Sequence, residues 1–432
     1  STQAKTLFPY TTLFRSIMKS NITQSDLPLK GFWAFRVFAC FAFAYFLSYA
    51  FRSVNAVIAP ELIADLKITN AQLGLLSAAY FVGFSTMQIP LGFAMDKFGT
   101  RRVESVLLLV ALIGSALFAY ADNLWGITLG RFLIGVGVSA CLMAAFTAYR
   151  RWFAIEQQGQ LASGMLVFGT IGALITTIPV QLALPFMGWR GVFWVMAGLV
   201  AIGFLGIRFG LPKFDDHPKK NNAASTSQEK SFGIRDIIGH PFFLRMLPLG
   251  IVNHGGFLAL QTLWIGPWMT QVLGFTSTVN AEILFIFNAA LLLGYAFNAW
   301  FMPKANAKGF KTLNYVKWML ALGLVAQFFA ITSNTSYSWV LWIIFAISAT
   351  GHTLGQSTVI TVFPSRNAGI ASTSYNLLIF VGAFIFQWGI GWGIDLSIAM
   401  GIEKVDAFKQ VFFIFFVLQI CSYLWFLFYP KP

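Results

Sequence analysis

Residues 92–102 read Gly92-Phe93-Ala94-Met95-Asp96-Lys97-Phe98-Gly99-Thr100-Arg101-Arg102. Gly99 suits a tight turn, and the carboxylate of Asp96 stands beside cations with which it can pair. Long apolar runs lie on both sides, at 71–94 and 103–121. This stretch is therefore typical of a short polar turn that joins two apolar helices.

Similar apolar runs continue along the whole chain. Hydrophobic residues make up 57% of its 432 residues, and charged residues make up 10%, against about 25% in soluble domains. A membrane-spanning helix takes about 20 apolar residues, so the composition supplies twelve spans and excludes a water-soluble globule. The predicted spans are 32–59, 71–94, 103–121, 125–148, 160–184, 190–211, 243–270, 280–302, 313–333, 338–360, 369–394 and 408–429.

A polar segment divides the spans into two groups of six. We predict an N-terminal segment at 1–31, a first six-helix half at 32–211, a linker at 212–242 and a second half at 243–429. The halves echo each other at an offset of about 210 residues, since Gly99 corresponds to Gly309. Two such repeats around a central site are typical of transporters.

Lysine and arginine are distributed unevenly between the breaks. Even-numbered breaks hold most of them, whereas the odd-numbered breaks carry Lys67, Arg190, Lys404 and Lys409. Positive loops stay in the cytoplasm, so we predict a bacterial inner-membrane protein with both termini and the linker in the cytoplasm. The net charge of +14 follows from this pattern, and no nucleic-acid partner is expected.

Two further features of the sequence bear on its interpretation. Residues 6–16 resemble a translated sequencing adapter, and we expect the natural chain to start near Met18. Cys40, Cys141 and Cys421 each lie within an apolar run and form no Cys-x-x-Cys pair. Neither a disulfide framework nor a zinc site is expected.

Three motifs together indicate a family. Residues 92–102 resemble the signature Gly-x-x-x-Asp-Arg/Lys-x-Gly-Arg-Arg/Lys of the major facilitator superfamily, although Thr100 replaces its first arginine. Gly130–Gly137 resembles the family's Arg-x-x-x-Gly-x-Gly pattern on span 4, and 188–193 its entry to span 6. The resemblance implies an all-α fold of two pseudo-symmetric six-helix halves. It also implies a latch between the halves on the cytoplasmic side, formed by Gly92, Asp96, Lys97, Gly99, Arg101 and Arg102, and a structural or coupling role for Arg131.

Arg52 is the most informative residue inside a span. At 100° per residue it shares one face of span 1 with Tyr45, Ser48 and Asn55. This segment resembles span 1 of the organophosphate/phosphate antiporter branch, whose arginine there binds phosphate. We find no counterpart of that branch's second phosphate-binding arginine on span 7. The alternative is an arginine satisfied by the carbonyls of a neighbouring helix.

Polar side chains also follow one face of several other spans. A water-accessible central cavity requires such faces, although hydrogen bonds between helices explain any single residue equally well. Either His254 or His352 could relay a proton, because histidine titrates near neutral pH. The candidate substrate-binding residues, with those of span 1, are His254, Gln261, Trp264, Asn288, His352, Gln356, Asn376 and Gln387.

The sequence therefore favours a secondary active transporter of a small, anionic organic solute, working by alternating access as a monomer. A proton is a possible coupling ion. The alternatives are an exporter of amphipathic or drug-like compounds, and a transporter-like sensor that detects a solute without moving it. No Walker A motif or cluster of catalytic residues is present in the sequence, so we expect neither an enzyme, a cofactor nor a metal.

Overall fold

Long helices form the whole bundle in the computed structural model, which describes residues 28–211, 234–333, 335–363 and 368–430. Within these residues, 12 helical segments are long and apolar enough to cross a membrane. We label the spans α1 to α12: Gly31–Ser53 with Asn55–Leu66 (α1), Asn70–Phe98 (α2), Thr100–Tyr120 (α3), Leu124–Val138 with Cys141–Trp152 (α4), Gln158–Ile175 with 178–187 (α5), 189–210 (α6), Pro241–Val272 (α7), Ser277–Ala307 (α8), Thr312–Thr332 (α9), Trp339–Ala349 with Gly351–Val362 (α10), Ala368–Ala399 (α11) and Lys404–Phe428 (α12).

These bounds confirm the all-α fold expected from the apolar runs. The adapter-like stretch at 6–16 and most of the predicted linker, 212–233, lie outside the described residues. The boundary between α5 and α6 lies within the helical stretch Ile178–Leu205. The turn between α5 and α6 falls on the single residue Gly188, whose φ of 62° is in the left-handed region.

Two turns reproduce the repeat found in the sequence. Gly99 ends α2 with a φ of 80°, and Gly309 stands between α8 and α9 with a φ of 82°. A residue with a Cβ rarely adopts this left-handed conformation. The offset of 210 residues therefore reflects the same turn, built at the same place in each half.

The helix order gives the bundle two ends. We call the end that carries the break between α6 and α7 the linker end, and the other the opposite end. At the opposite end, Arg190 donates hydrogen bonds to Asp65 and to Asp122, the latter at 3.1 Å. The guanidinium holds the pKa of the Asp65 carboxyl below its usual range. The first, third and fifth breaks therefore meet at one end, as the alternation of spans requires.

Removing this cation should cost a small amount of stability. We expect Arg190→Gln to reduce the free energy of unfolding by at most about 1 kcal/mol, because both partners are solvent-exposed. The loss should be greatest at neutral pH. It should shrink as the pH falls through the lowered pKa of Asp65, since the protonated carboxyl no longer attracts the guanidinium. Melting curves at pH 7 and pH 4 measure both effects; an equal loss at both would contradict the ion-pair explanation.

The two halves pack tightly at the opposite end. The carboxylate of Asp395, near the end of α11, accepts hydrogen bonds from the backbone N–H groups of Asn70 at 3.2 Å and Ala71 at 2.7 Å. The Asn70 side chain donates a third at 2.8 Å. A negative charge at the N-terminus of a helix is favourable, so Asp395 fastens the second half to the start of α2.

Glycines on α2 and α11 show how closely these two helices approach near the opposite end. A Cβ at Gly74 would overlap the backbone of Gln387 on α11, and a Cβ at Gly391 would overlap the backbone of Asn70 at the start of α2. The described structure is therefore closed between α2 and α11 at the opposite end.

The outer surface of the bundle is apolar. Large side chains such as Phe93, Tyr120, Trp125 and Phe186 are each more than 70% exposed, which suits contact with lipid tails. The three cysteines are free thiols, and Cys421 lies on the exposed surface while Cys141 is buried.

Candidate functional site

Arg52 stands in a cage of aromatic rings where the two halves meet. Its guanidinium carbon lies 4.7 Å from the ring centre of Tyr49 on α1, and 6.0 Å and 5.4 Å from those of Tyr80 and Phe84 on α2. Phe380, on α11 of the other half, lies 5.7 Å away. Ring faces attract a cation, so the cage holds the guanidinium in place without neutralising its charge.

The charge of Arg52 has no carboxylate partner in the part of the chain that the structure describes. Among the described residues, the ion pairs involve Arg190 and not Arg52. The Nε atom of Arg52 is enclosed and has no hydrogen-bond partner, while part of the side chain stays accessible. A guanidinium keeps its proton at any ordinary pH, so this position can accept an anion.

Arg131 fixes the segment that presents Arg52. It is 1% exposed, and its Nη1 donates a 2.8 Å hydrogen bond to the carbonyl of Phe51. Its guanidinium also lies about 5 Å from the rings of Phe118 and Phe193. α1 is interrupted at Val54, just after this point. These contacts support a structural role for Arg131, which the span-4 motif left open.

The remaining predicted residues of α1 divide into two groups. Tyr45 packs edge-on against Tyr49, with ring centres 5.0 Å apart, and so lines the same space as Arg52. Ser48 donates instead to the carbonyl of Val138 at 3.4 Å, and Asn55 donates to Ser77 at 2.7 Å. The last two side chains join α1 to α4 and α2.

In the second half, His254 and His352 form a stacked pair. Their ring centres are 5.2 Å apart with an angle of 30° between the planes, which brings α7 and α10 together. The charge of Arg52 acts on His254 across the boundary between the halves. The structure thus brings the two predicted histidines together, with His254 within electrostatic range of Arg52.

Four other candidates form hydrogen bonds between helices. Gln261 on α7 donates to Asn288 on α8 at 3.1 Å. Gln387 on α11 donates to Thr262 at 3.1 Å, and its carbonyl accepts a 2.9 Å bond from the indole of Trp264. Trp264 and Gln387 are both buried, and their hydrogen bonds fit the helix-packing role that is the stated alternative to substrate binding.

A second polar contact crosses between the halves nearer the linker end. Gln356 on α10 donates to Asn376 on α11, and Asn376 donates to Gln88 on α2, each at 3.4 Å. Both hydrogen bonds are long, which suits a contact that opens and closes.

Several residues of the cage were not among the sequence candidates. Tyr80 and Phe84 are four residues apart on α2, a spacing that places them on one helix face, so this signal was available. Phe380 lies in the other half of the protein, and folding brings Tyr295 of α8 into electrostatic range of Arg52. Nothing in the local sequence marks these two.

The expectation for span 7 needs correction. Span 7 does carry an arginine, Arg245, but its Nε donates to the carbonyl of Phe426 at 2.8 Å near the linker end, away from Arg52. A further buried ionisable residue is Glu104 near the start of α3, whose side chain is fully buried beside Cys141. A buried acid near a helix end cannot be recognised from hydropathy.

The latch residues surround the turn at Gly99. Arg101 donates to the carbonyl of Arg208 at 3.0 Å, Arg102 is exposed, and Lys97 lies 5.2 Å from the ring of Phe98. The side chain of Asp96 lies outside what the structure describes. The pairing partner of this carboxylate therefore stays a prediction.

Comparison with known sequences identifies a family and several relatives that match parts of this chain. A family model described as Major Facilitator Superfamily matches residues 41–387. A protein of Cupriavidus necator named "Probable sulfoacetate transporter SauU" is 28% identical over 191 residues, which are 44% of this chain and 44% of that protein. The chain thus matches less than half the length of this relative. The niacin transporter of Acinetobacter baylyi is 23% identical over 321 residues, 67% of this chain and 70% of that protein.

Solved structures show the same fold. A bacterial homologue of the human lysosomal transporter Spinster aligns with a TM-score of 0.73 at 15% identity, covering 92% of this chain and 97% of that one. The helical bundle thus has the fold of a solved membrane-protein structure.

Proposed function

The chain belongs to the Major Facilitator Superfamily, and from this premise we propose that it is a secondary transporter of a small organic anion, which Arg52 binds. Membership of this family points to a membrane transporter and not to an enzyme. The observation that carries the proposal is the unpaired guanidinium, held among aromatic rings at the contact between the halves.

The cost of burying a charge supports an anionic substrate. A charged side chain within the membrane is expensive and needs a partner or water. Aromatic faces offset part of this cost for Arg52 but leave its positive charge in place. A carboxylate or sulfonate would supply the missing counter-charge, and it can bind the planar guanidinium through two oxygens.

The surroundings favour an anion with one charged group and an apolar body. Among the described residues the rings of Tyr49, Phe84 and Phe380 lie next to the guanidinium, whereas Arg245 is engaged near the linker end. Both relatives are named for organic acids; niacin has one acidic group on an aromatic ring, whereas sulfoacetate has two acidic groups. These names support the substrate class and do not fix the compound.

We propose that the two halves work by alternating access. In the described state the opposite end is held closed by Asp395 on the start of α2 and by the close approach of α2 and α11. Substrate would reach Arg52 from the linker end in this state. We further propose that the halves are 32–211 and 243–429, and that the basic linker end faces the cytoplasm of a bacterial inner membrane.

The experiment that tests the anion proposal is a thermal-shift panel on the purified protein. Sulfoacetate, nicotinate, galacturonate, a sugar phosphate, a neutral sugar and a cationic drug are compared, with nicotinamide as the uncharged match to nicotinate. A ligand that binds the folded state raises the melting temperature. We expect a shift with at least one carboxylate or sulfonate and none with nicotinamide. A shift with the cationic drug alone would favour the drug-exporter alternative and overturn the proposal.

The latch leads to a separate prediction. We expect Asp96→Asn to slow transport about tenfold or less and to leave the dissociation constant of the bound anion nearly unchanged, because Asp96 stands at the linker end, far along α2 from Arg52. Exchange rates in proteoliposomes and binding in detergent measure the two quantities separately. Lost binding with intact exchange rates would remove Asp96 from the latch.

A further inference from the structure

The stacked pair of His254 and His352 has the properties of a binding site for a single proton. The Nδ1 atoms of both rings are enclosed and lack a hydrogen-bond partner in the structure, although each ring keeps part of its surface accessible. A buried polar atom without a partner normally carries an energetic cost. Such a cost is retained where the atom binds a ligand or forms a hydrogen bond in another state of the protein.

Irregular helices hold both rings of the pair. His254 lies in the π-helical stretch Leu249–Gly255 of α7. His352 follows the interruption of α10 at Thr350, whose hydroxyl accepts a 2.8 Å hydrogen bond from Asn298. π-Helical turns occur frequently at functional sites. Two independent departures from regular helix therefore meet at the histidine pair.

A cavity leads from the pair toward the linker end. This small cavity is lined by both histidines and by residues of α7, α9, α10 and α11, among them Met246, Val316 and Gly355. Met246 precedes His254 on α7, and Gly355 follows His352 on α10, so both lie on the linker side of the rings. The cavity thus extends from the histidine pair toward the linker end.

The charged and titratable groups around the pair decide when a proton can bind. From α1 the charge of Arg52 acts on His254, and each histidine acts on the other across the stack. From α11 Tyr375 lines the cavity, with its hydroxyl donating to the carbonyl of Met246 at 3.3 Å. From α8 Tyr295 lies within electrostatic range of Arg52. α9 contributes the apolar residues Val316 and Leu320, and no carboxylate lines the cavity among the described residues.

These observations point to coupling between the proton and the substrate. We propose that the His254–His352 pair binds one proton together with the anion at Arg52, which makes the protein a proton–anion symporter; this inference rests on the proposed function. An imidazolium beside an unpaired Arg52 would place two positive charges in a region of low dielectric constant. An anion on Arg52 removes that repulsion, so each ligand favours binding of the other. Stacked imidazoles disfavour a second proton for the same electrostatic reason.

The chemistry is a simple protonation. A neutral imidazole nitrogen of the pair takes a proton from water in the cavity and becomes an imidazolium, and it returns the proton when the anion leaves. No covalent bond to the anion forms. The loaded site carries Arg52, the anion and one imidazolium.

Isothermal titration calorimetry of the full-length protein tests the proposal directly. Sulfoacetate, nicotinate and galacturonate are titrated in turn at pH 7 in buffers with different ionisation enthalpies, which gives the number of protons taken up per anion bound. Variants are His254→Gln, His352→Gln, the double variant, and two controls. His240→Gln is the matched histidine control, since His240 lies at the start of α7 near the linker end. Glu104→Gln tests whether the buried carboxyl of Glu104 binds the proton instead.

We expect the wild-type protein to take up close to one proton per anion, and its dissociation constant to rise by up to about tenfold per pH unit as the pair loses its proton. The double variant should bind the anion without proton uptake and without this pH dependence, and both controls should behave as wild type. The melting temperature of each variant is measured as well. If the double variant folds poorly, the two single variants decide the result.

The other outcomes separate this inference from the proposed function. Anion binding without proton uptake by the wild type, or uptake that persists in the histidine variants, overturns the proton site and leaves the anion site standing. Uptake lost in Glu104→Gln alone assigns the proton to Glu104 instead. Absence of binding of all three anions by the wild type contradicts the proposed function itself.

Discussion

Replacing Arg52 with glutamine should weaken anion binding by about 100-fold or more. The substitution removes the charge that the aromatic cage holds toward the anion, and truncating one member of a buried, hydrogen-bonded charge pair costs about 2–5 kcal/mol. Arg52→Lys should be intermediate, with a loss of about tenfold, because an ammonium keeps the charge but lacks the planar fork. Calorimetric titration with the anion identified in the panel measures both losses.

Both Arg52 variants should still fold. Arg52→Gln removes a charge that has no ion-pair partner among the described residues, and Arg52→Lys keeps that charge on a smaller group. The matched control is Arg36→Gln on the same helix, where the guanidinium lies over Trp33 and donates to the carbonyl of Phe209 near the linker end. Melting temperatures of all three variants are compared with wild type. Wild-type affinity in Arg52→Gln would make Arg52 a structural residue and remove the main reason for expecting an anion.

The second large effect concerns the opposite end of the bundle. Asp395→Asn should shift the protein away from the state described here by about tenfold, which corresponds to about 1.4 kcal/mol. The carboxylate accepts three hydrogen bonds from the start of α2, and an amide offers one acceptor oxygen and no charge. Hydrogen bonds to charged groups contribute about 1.5–3 kcal/mol each, so the expected shift is a conservative fraction of the total.

Distances between spin labels on the two halves measure this shift. Labels at Ala64 and Lys404, both exposed at the opposite end, report a short distance when the end is closed and a longer one when it opens. We expect the longer distance to gain population in Asp395→Asn. Asp406→Asn is the matched control, because Asp406 is an exposed carboxylate in the first turn of α12. Equal distance distributions in Asp395→Asn and wild type would show that Asp395 does not hold the gate.

The residues around Asp395 repeat a spacing that is also found before the turn at Gly99. Gly391 and Asp395 are four residues apart at one end of α11, as Gly92 and Asp96 are at the end of α2. Gly391 lets the backbone of Asn70 approach closely, and Asp395 binds the helix start that this approach exposes. The same glycine–aspartate spacing thus serves closure at the opposite end.

Much of this fold could be predicted from sequence because a membrane imposes simple rules. Apolar runs of about 20 residues specify spans, and the left-handed turns at Gly99 and Gly309 need a residue without a side chain. The passage from α5 to α6 is different, because the single residue Gly188 makes the whole turn, and hydropathy alone does not locate a turn to one residue.

The candidate site was only partly predictable. Arg52 and the two histidines were recognisable, since ionisable groups within spans are rare. Which polar residues face the centre depends on how helices rotate against one another, and this is set by packing. Ser48 and Asn55 share the predicted stripe with Arg52 but bond to α4 and α2, whereas Phe380 joins the cage from a helix more than 300 residues away in the chain.

Counterflow in proteoliposomes tests the central claim most directly. Vesicles are loaded with an excess of the unlabelled anion identified in the panel and diluted into a trace of the labelled anion. The proposed function predicts a transient accumulation of label by the wild-type protein, its absence from empty vesicles, and its loss in Arg52→Gln. Binding of the anion without any counterflow would contradict transport and identify a solute sensor, and counterflow that persists undiminished in Arg52→Gln would contradict the anion site.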